Sequence, residues 1–444
     1  MRNVVRGLQA RRGTYMSEEN EVAADAGEPP VVIGPREQLF HLLAEAAEIE
    51  HALMCSYLYA AFSLKQGTDT GLTAQQADAV ARWRKAVLAV ATEEMVHLVL
   101  VSNLSIALGG RPHFSRPNFP VAPGYFPSGV VVRLTPFTTE TLDHFVFLER
   151  PQGEDQPDGE GFEHAQDYAR EEAYHGLMPS VQDYTTVGHL YKALRLNLLA
   201  CSRRLGESEL FVGPAAAQVG PEQMDLQGIQ VITDLASALQ AIDTIVEQGE
   251  GSRADRDGSH YQRFLSIRDE YRQLLSKDAE FAPAWPAAVN PVSRRPPEPE
   301  DKVFIDDRRA ARVLDFANAV YGQLLRFLVQ SFGGRDTSAP LQARSLSAAV
   351  DLMHVLARTG SALARMPASA EAPGVNAGMT FTMLRSVEPL LGSAAERLLA
   401  ERFVELAHGA AVAAHSNPAL NGLQQVIEKV IRDFLAPAAA DTTA

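Results

Sequence analysis

The stretch "TEEMVHLVL", Thr92–Leu100, places two glutamates and a histidine inside an otherwise apolar run. Around it, apolar residues recur at steps of three and four, which predicts one buried face of a helix over about 74–108. Continuing these steps through the stretch leads to Glu94 and His97, whereas Glu93 lies about 100° around the helix. We therefore expect Glu94 and His97 to point together into the protein interior.

A buried carboxylate without a partner is unfavourable, so it becomes neutral, finds a partner or binds a metal. The pair Glu-x-x-His projects an oxygen and a nitrogen from one helix face, as carboxylate-bridged di-iron and di-manganese sites in four-helix bundles do. By itself this motif is weak, because the same spacing occurs on many helices as a solvated or hydrogen-bonded pair. The metal-site hypothesis therefore needs ligands from other helices.

A helix predicted over about 36–66 supplies one such ligand. Glu50 interrupts its apolar stripe between Ala46 and Leu53, as Glu94 interrupts the stripe of the following helix. Tyr57 lies further along the same face and is either a core tyrosine or a residue with a role near the metal. We expect Glu50 to be the lone carboxylate ligand of this helix.

The remaining ligands are expected where two later helices meet, which are predicted over about 223–248 and 259–277. Glu247 lies at the end of the first, and Asp257-x-x-His260 at the start of the second again spaces an oxygen and a nitrogen by three residues. Asp257 also suits a turn, and Glu250 is the rival for its role. A short turn would place Glu247 beside His260. The predicted metal ligands are Glu50, Glu94, His97, Glu247, Asp257 and His260.

The chain of 444 residues is predicted to be mainly α-helical. Further helical patterns lie near 138–149, 163–177 and 184–205. A Pro- and aromatic-rich stretch after residue 110 is expected to be extended chain or short strands that cover the bundle. The amphipathic C-terminal helices either pack on the bundle or form a homodimer face. The predicted divisions are a disordered tail at 1–34, a four-helix bundle at 35–280 with an irregular and helical insertion at 110–222, a Pro-rich connector at 281–306 and a C-terminal helical region at 307–436.

Composition limits the function classes. The formal net charge of -15 and a pI near 5.3 argue against nucleic-acid binding, which needs a basic face. The two cysteines, Cys55 and Cys201, build neither a disulfide framework nor a thiolate metal site and fit a cytoplasmic location. The sequence contains no uninterrupted apolar run of about 18 residues, so no membrane-spanning helix is predicted. The N-terminus lacks the apolar core of a secretory signal, and translation starts at Met1 or Met16.

Several blocks of the sequence resemble the ferritin-like domain of the iminophenyl-pyruvate dimer synthase family, which is named for enzymes of violacein and rebeccamycin biosynthesis. The resemblance extends over roughly residues 36–382, and the named synthases are much longer than this chain. Its most specific part is "IVEQGEG" followed by "SHYQRF". Other matching blocks are "LTPFTTETLDHFVFLERP", "TTVGHLYKALRLNLL", "ELFVG" and "FANAVYGQLLRFLVQSF".

The resemblance implies a ferritin-like bundle in which Glu50 is the ligand of the first helix and Glu94 with His97 form the pair of the second. Glu247 matches the carboxylate of the third helix and His260 the histidine of the fourth, with Asp257 in the place of the fourth acid. It also implies two iron ions, with manganese as the alternative, and the oxidation of an amino-acid-derived or imine substrate by dioxygen. Two alternatives are an iron-binding protein without an organic substrate and an accessory partner of a larger oxidase.

Overall fold

In the computed structural model, the described residues are 21–22, 29–127, 129–162, 170, 177–249, 258–333, 338–383, 385 and 387–436. Over these residues the protein is mainly α-helical, as predicted. Its helices are α1 (Arg36–Ser63), α2 (Ala74–Ala107), α3 (Thr139–Leu148), α4 (Val187–Leu205), α5 (Glu207–Leu210), α6 (Leu235–Gln248), α7 (His260–Lys277), α8 (Arg308–Ser331), α9 (Ala339–Leu363), α10 (Gly392–Ser416) and α11 (Leu423–Leu435).

Four short strands accompany the helices. Strand β1 (Glu21–Val22) pairs antiparallel with β2 (Val31–Val32), and β3 (Pro291–Val292) pairs parallel with β4 (Val303–Phe304). The side chains in β2 are buried. Ordered structure therefore begins inside the predicted disordered tail, of which residues 1–20 and 23–28 lie outside the described residues.

Helices α1 and α2 form the centre of the protein and pack along each other. Helix α2 begins with a capping box in which Thr73 accepts from the amide of Gln76 and the Gln76 side chain accepts from the amide of Thr73. It ends at Ala107, and Gly109, whose φ of 93° suits glycine, takes the chain out of the helix. Both helices bury residues on more than one side, because further helices pack around them.

Helices α3 and α7 pack on each other, and α7 also packs against α2. An aromatic cluster joins three of these helices: Tyr57 of α1 lies 4.7 Å from the Phe145 ring of α3, and both lie 5.2 Å from the Phe264 ring of α7, measured between centroids. Helix α3, which lies inside the predicted insertion at 110–222, therefore packs on α1 and α7. The assignment of the helix at 223–248 as the third bundle helix stays a prediction.

The observed helix in the latter region, α6, packs against α2 and α4. Residues 111–127 and 129–138 contain neither helix nor strand, as expected for an extended cover. Of the helix predicted over 163–177, residues 163–169 and 171–176 lie outside the described residues.

The C-terminal helices pack on the bundle. Helices α8 and α9 pack closely together, and α9 also contacts α1. The Tyr321 hydroxyl of α8 lies 2.6 Å from Nε2 of His51 in α1, so the two helical regions share a buried polar contact. One described helix, α2, is long and apolar enough to cross a membrane, and 72% of its most apolar window is buried inside the protein.

Candidate metal centre

The first group of candidate ligands comes from α1 and α2. Glu50, Glu94 and His97 are fully buried. Nδ1 of His97 lies 3.1 Å from Oε2 of Glu94 and 3.4 Å from Oε2 of Glu50. One ligand atom from each of the three residues lies within 4.8 Å of the others, which is close enough to hold one metal ion.

The second group uses the other oxygen of the same glutamate. Oε1 of Glu94 lies 3.0 Å from Nδ1 of His260, the first residue of α7. Oε2 of Glu149, directly after α3, lies 3.4 Å from that nitrogen. The rings of His97 and His260 are stacked with centroids 5.6 Å apart. Glu94 thus stands between two histidines and belongs to both groups.

Several polar atoms at this position have no hydrogen-bond partner among the described residues. They are Oε2 of Glu50, Oε1 of Glu94, Oε2 of Glu149 and Nδ1 of His260. Unpaired buried polar atoms are unfavourable, and four of them in one place would be satisfied together by cations. Carboxylate oxygens and imidazole nitrogens without thiolates suit iron or manganese. The residues present therefore fit a two-metal centre.

The outward-facing nitrogen of each histidine also has a partner. Nε2 of His97 lies 3.0 Å from the side-chain oxygen of Gln248, and Nε2 of His260 lies 2.8 Å from Oε2 of Glu93. Arg263 in turn lies 2.9 Å from the other oxygen of Glu93. Donation from Nε2–H to these oxygens fixes the tautomer that leaves Nδ1 free to bind a metal.

Two tyrosines donate hydrogen bonds to Glu50 and Glu149, the carboxylates that each belong to only one of the two groups. The Tyr191 hydroxyl donates to Oε1 of Glu50, and the Tyr57 hydroxyl donates to Oε1 of Glu149. Both tyrosines are fully buried. Each of these carboxylates therefore keeps one oxygen fixed while its other oxygen faces the cluster.

In the metal-free centre, charge is balanced by protons. Burial, together with the charge of Glu94, raises the pKa of Glu50 to about 8. Burial alone would lower the pKa of His97, but the Glu94 charge, the hydrogen bond to Glu94 and the nearby Glu50 carboxylate raise it to about 10. Burial would raise the pKa of Glu94, yet the charges of His97 and His260 hold it well below its ordinary value. Metal ions would take the place of these protons.

The structure brings together Glu50, Glu94, His97 and His260, four of the six predicted ligands. Glu247 is exposed and belongs to neither group, because the last turn of α6 directs the adjacent Gln248 toward His97 instead. Asp257 and its rival Glu250 lie outside the described residues.

Glu149 is the residue that our sequence reasoning missed. The helix around it was predicted, and its apolar seam steps from Leu142 to Phe145 and then by four residues to Glu149. This is the signal that identified Glu50 and Glu94, a carboxylate that continues an apolar stripe.

Gly249 packs directly against the centre. A β-carbon at this position would lie 3.1 Å from Nδ1 of His260, 3.3 Å from Oε2 of Glu149 and 3.5 Å from Cε1 of His97. Its φ of -114° lies outside the left-handed region that favours glycine. A glycine is needed instead because there is little space for a side chain beside Nδ1 of His260 and Oε2 of Glu149.

Comparison with known proteins identifies the family of the chain. The sequence model of the Ferritin-like family matches residues 43–269, which contain all five clustered side chains. The 2-imino-3-(indol-3-yl)propanoate dimerase of Chromobacterium violaceum is 29% identical over 365 residues, covering 76% of this chain and 33% of that protein. The dichlorochromopyrrolate synthase of Lentzea aerocolonigenes is 28% identical over 456 residues, covering 91% of this chain and 41% of that protein.

The chain thus spans less than half the length of these two relatives. A crystal structure of a ferritin-like protein from Caulobacter vibrioides superposes with a TM-score of 0.47 and 20% identity, covering 74% of this chain and 95% of that one. The family assignment rests on the sequence match over the bundle.

The adjacent residues Glu93 and Glu94 are expected to affect metal binding very differently. Glu94→Ala removes the carboxylate common to both groups, so the protein should retain almost no metal. Glu93→Ala removes only the partner of His260 and should weaken binding by about 10–100-fold, as such outer partners do. Metal content after Fe(II) loading and gel filtration measures both effects. Equal metal content in the two variants would contradict the assignment.

A second matched pair distinguishes Glu149 from Glu247. Glu149→Ala should lose about one of two metal ions per chain, because the second group then keeps only Glu94 and His260. Glu247→Ala should retain both ions, because its side chain is exposed and outside the groups. Mass spectrometry of bound metal checks this. Loss in Glu247→Ala with full retention in Glu149→Ala would restore our original assignment.

Gly249→Ala should reduce metal affinity by about tenfold or more, because the new methyl group displaces ligand atoms on α7 and after α3. The apoprotein should unfold at nearly the same urea concentration as the unsubstituted protein, since the φ of Gly249 lies outside the left-handed region that favours glycine. Fe(II) titration and urea unfolding in chelator separate these effects. Unchanged affinity would show that the centre has room beside Gly249.

Proposed function

We propose, because this chain belongs to the ferritin-like family, that its two overlapping ligand groups bind two metal ions and that it oxidises a small organic substrate with dioxygen. The observation that carries the proposal is the position of Glu94, whose two oxygens face His97 on one side and His260 on the other. A carboxylate shared in this way is the feature by which di-iron and di-manganese centres bridge their ions.

The proposed ligands divide evenly between the ions. One ion would be held by Glu50, Glu94 and His97, and the other by Glu94, Glu149 and His260. Iron is the first choice and manganese the alternative, since both accept this oxygen and nitrogen set. Bound iron or manganese would supply the one-electron steps that reduce dioxygen.

The surrounding residues position the ligands and exclude water. Tyr57 and Tyr191 hold the terminal carboxylates by hydrogen bonds, while Gln248 and Glu93 orient the two imidazoles. In this proposal Tyr57, which we singled out from the sequence, is a positioning residue for Glu149. Because the ligands are fully buried, water is kept from them, and each electrostatic contact is stronger than it would be in water.

The proposed substrate is an amino-acid-derived imine, the class named for the Chromobacterium violaceum relative. Its oxidation removes two electrons and two protons, and dioxygen accepts them to form hydrogen peroxide. If two substrate molecules couple, as the word dimerase in that name describes, one carbon–carbon bond forms and each molecule gives up one proton and one electron.

The experiment that tests the proposal begins with anaerobic loading of Fe(II). About two ions per chain should be retained, and exposure to air should produce a near-ultraviolet band from the oxidised pair. With 2-imino-3-(indol-3-yl)propanoate as the probe, an oxygen electrode should record consumption that depends on bound iron. The matched controls are Glu94→Ala, which should lack all three properties, and Glu247→Ala, which should keep them.

Other results identify the alternatives. Retention of many irons per chain in a large particle, without substrate oxidation, would indicate an iron-binding protein. Two bound ions that consume oxygen only when a separate oxidase is added would indicate an accessory partner. Failure to retain metal at all would refute the metal centre and the proposed function with it.

A further inference from the structure

The protein has a cleft on the side of the α1–α2 pair that faces away from the candidate metal centre. It has a volume of about 700 Å³ and lies between these helices and the C-terminal helices α8 and α9. Glu50 and Glu94 face the metal centre, whereas the neighbouring His51 and Met95 line the cleft. The cleft is therefore separate from the proposed metal centre, and its volume is within the range of ligand-binding pockets.

Its walls are apolar. Leucine and methionine side chains dominate them, among them Met54 and Leu58 of α1, Leu98 of α2, Leu324 and Leu328 of α8 and Leu346 of α9. A contiguous apolar surface of this kind is favourable only when it is covered by an apolar molecule. The walls therefore indicate that the main part of a ligand is hydrocarbon or aromatic.

The closed end of the cleft has polar atoms that already contact one another. The Tyr321 hydroxyl lies 2.6 Å from Nε2 of His51 and accepts from Arg116 at 2.9 Å, while Sγ of Cys55 lies 3.6 Å from the same hydroxyl. Arg116, behind this layer, also donates to the backbone carbonyl of Phe381 at 2.7 Å. The Tyr321 hydroxyl, the His51 imidazole and the Cys55 thiol thus already have polar partners, and the nearby guanidinium disfavours a cation at this end.

The rim of the cleft carries the opposite charge. Asp225 and Asp351 lie there, and the described residues that line the cleft include neither lysine nor arginine. The exposed His354 also lies at the rim. Lys429 is near Asp351 but is paired at 2.5 Å with Asp433. The rim therefore favours a cationic group and disfavours an anionic one.

We propose that this cleft binds an apolar small molecule that carries one cationic amine. The apolar part enters between α1, α2, α8 and α9, away from water. The amine stays at the rim beside Asp225 and Asp351, as far as the cleft allows from Arg116. This assignment is independent of the metal centre and of the proposed oxidation.

Binding is tested with three probes that share one chain length: decylamine, 1-decanol and decanoate. Each is used to displace the fluorescent apolar dye Nile red from the full-length protein in chelator, so that the metal centre plays no part. Decylamine should bind at a single saturable site, about tenfold more tightly than decanoate, with decanol between them, because two rim charges attract one probe and repel the other. Absence of saturable binding, or tightest binding of decanoate, would overturn the proposal.

Two sets of variants localise the effect. Ala357→Phe on α9 fills the cleft and should abolish displacement by all probes, whereas Ala339→Phe, exposed on the same helix and outside the lining, should leave it unchanged. The surface double variant Asp225→Asn/Asp351→Asn should weaken decylamine binding about fivefold and change decanol binding by less than about twofold. An unchanged preference for decylamine in the double variant would refute the role of the rim charges, whether or not Ala357→Phe folds.

Discussion

The burial of one carboxylate constrains the whole bundle. Glu94 is fully buried at the middle of α2, so its charge must be met by groups that the rest of the chain brings to it. His97 meets it from the same helix, and His260 meets it from the start of α7. Both require the bundle to close, because His260 is distant in sequence and reaches Glu94 only when α7 packs beside α2. The burial of Glu94 therefore depends on the tertiary fold, because only the closed bundle brings His260 to it.

Helices α1 and α2 each contribute residues to two surfaces of different chemistry. One side of α1 and α2 collects charged and hydrogen-bonding groups, and the other side lines an apolar cleft against α8 and α9. Adjacent residues such as Glu50 and His51 point to different sides, because consecutive positions on a helix lie about 100° apart. This arrangement explains why α1 and α2 are buried on more than one side. It also explains why the apolar α2 resembles a membrane span by composition alone.

The sequence by itself determined much of this protein. Periodicity identified α1, α2, α4 and α7 to within a few residues. Glu50, Glu94 and His97 were found because a charged residue that continues an apolar stripe must be buried with a partner, and His260 was found by its spacing of three residues from Asp257. These are local properties: burial of a helix face follows from the residues of that helix alone. The match of the Ferritin-like family model to residues 43–269 agrees with this local evidence.

Only the tertiary structure decided which helix completes the centre. Glu149 and Glu247 both end a predicted helix, and periodicity gives no information on which helix faces which. The choice follows from packing between distant segments: the Tyr57–Phe145–Phe264 cluster places the end of α3 beside His260, while α6 turns Gln248 and Gly249 toward the histidines and leaves Glu247 exposed. The cleft between α1, α2, α8 and α9 was likewise beyond the sequence, because its walls and rim come from five separate segments that meet only in the folded chain.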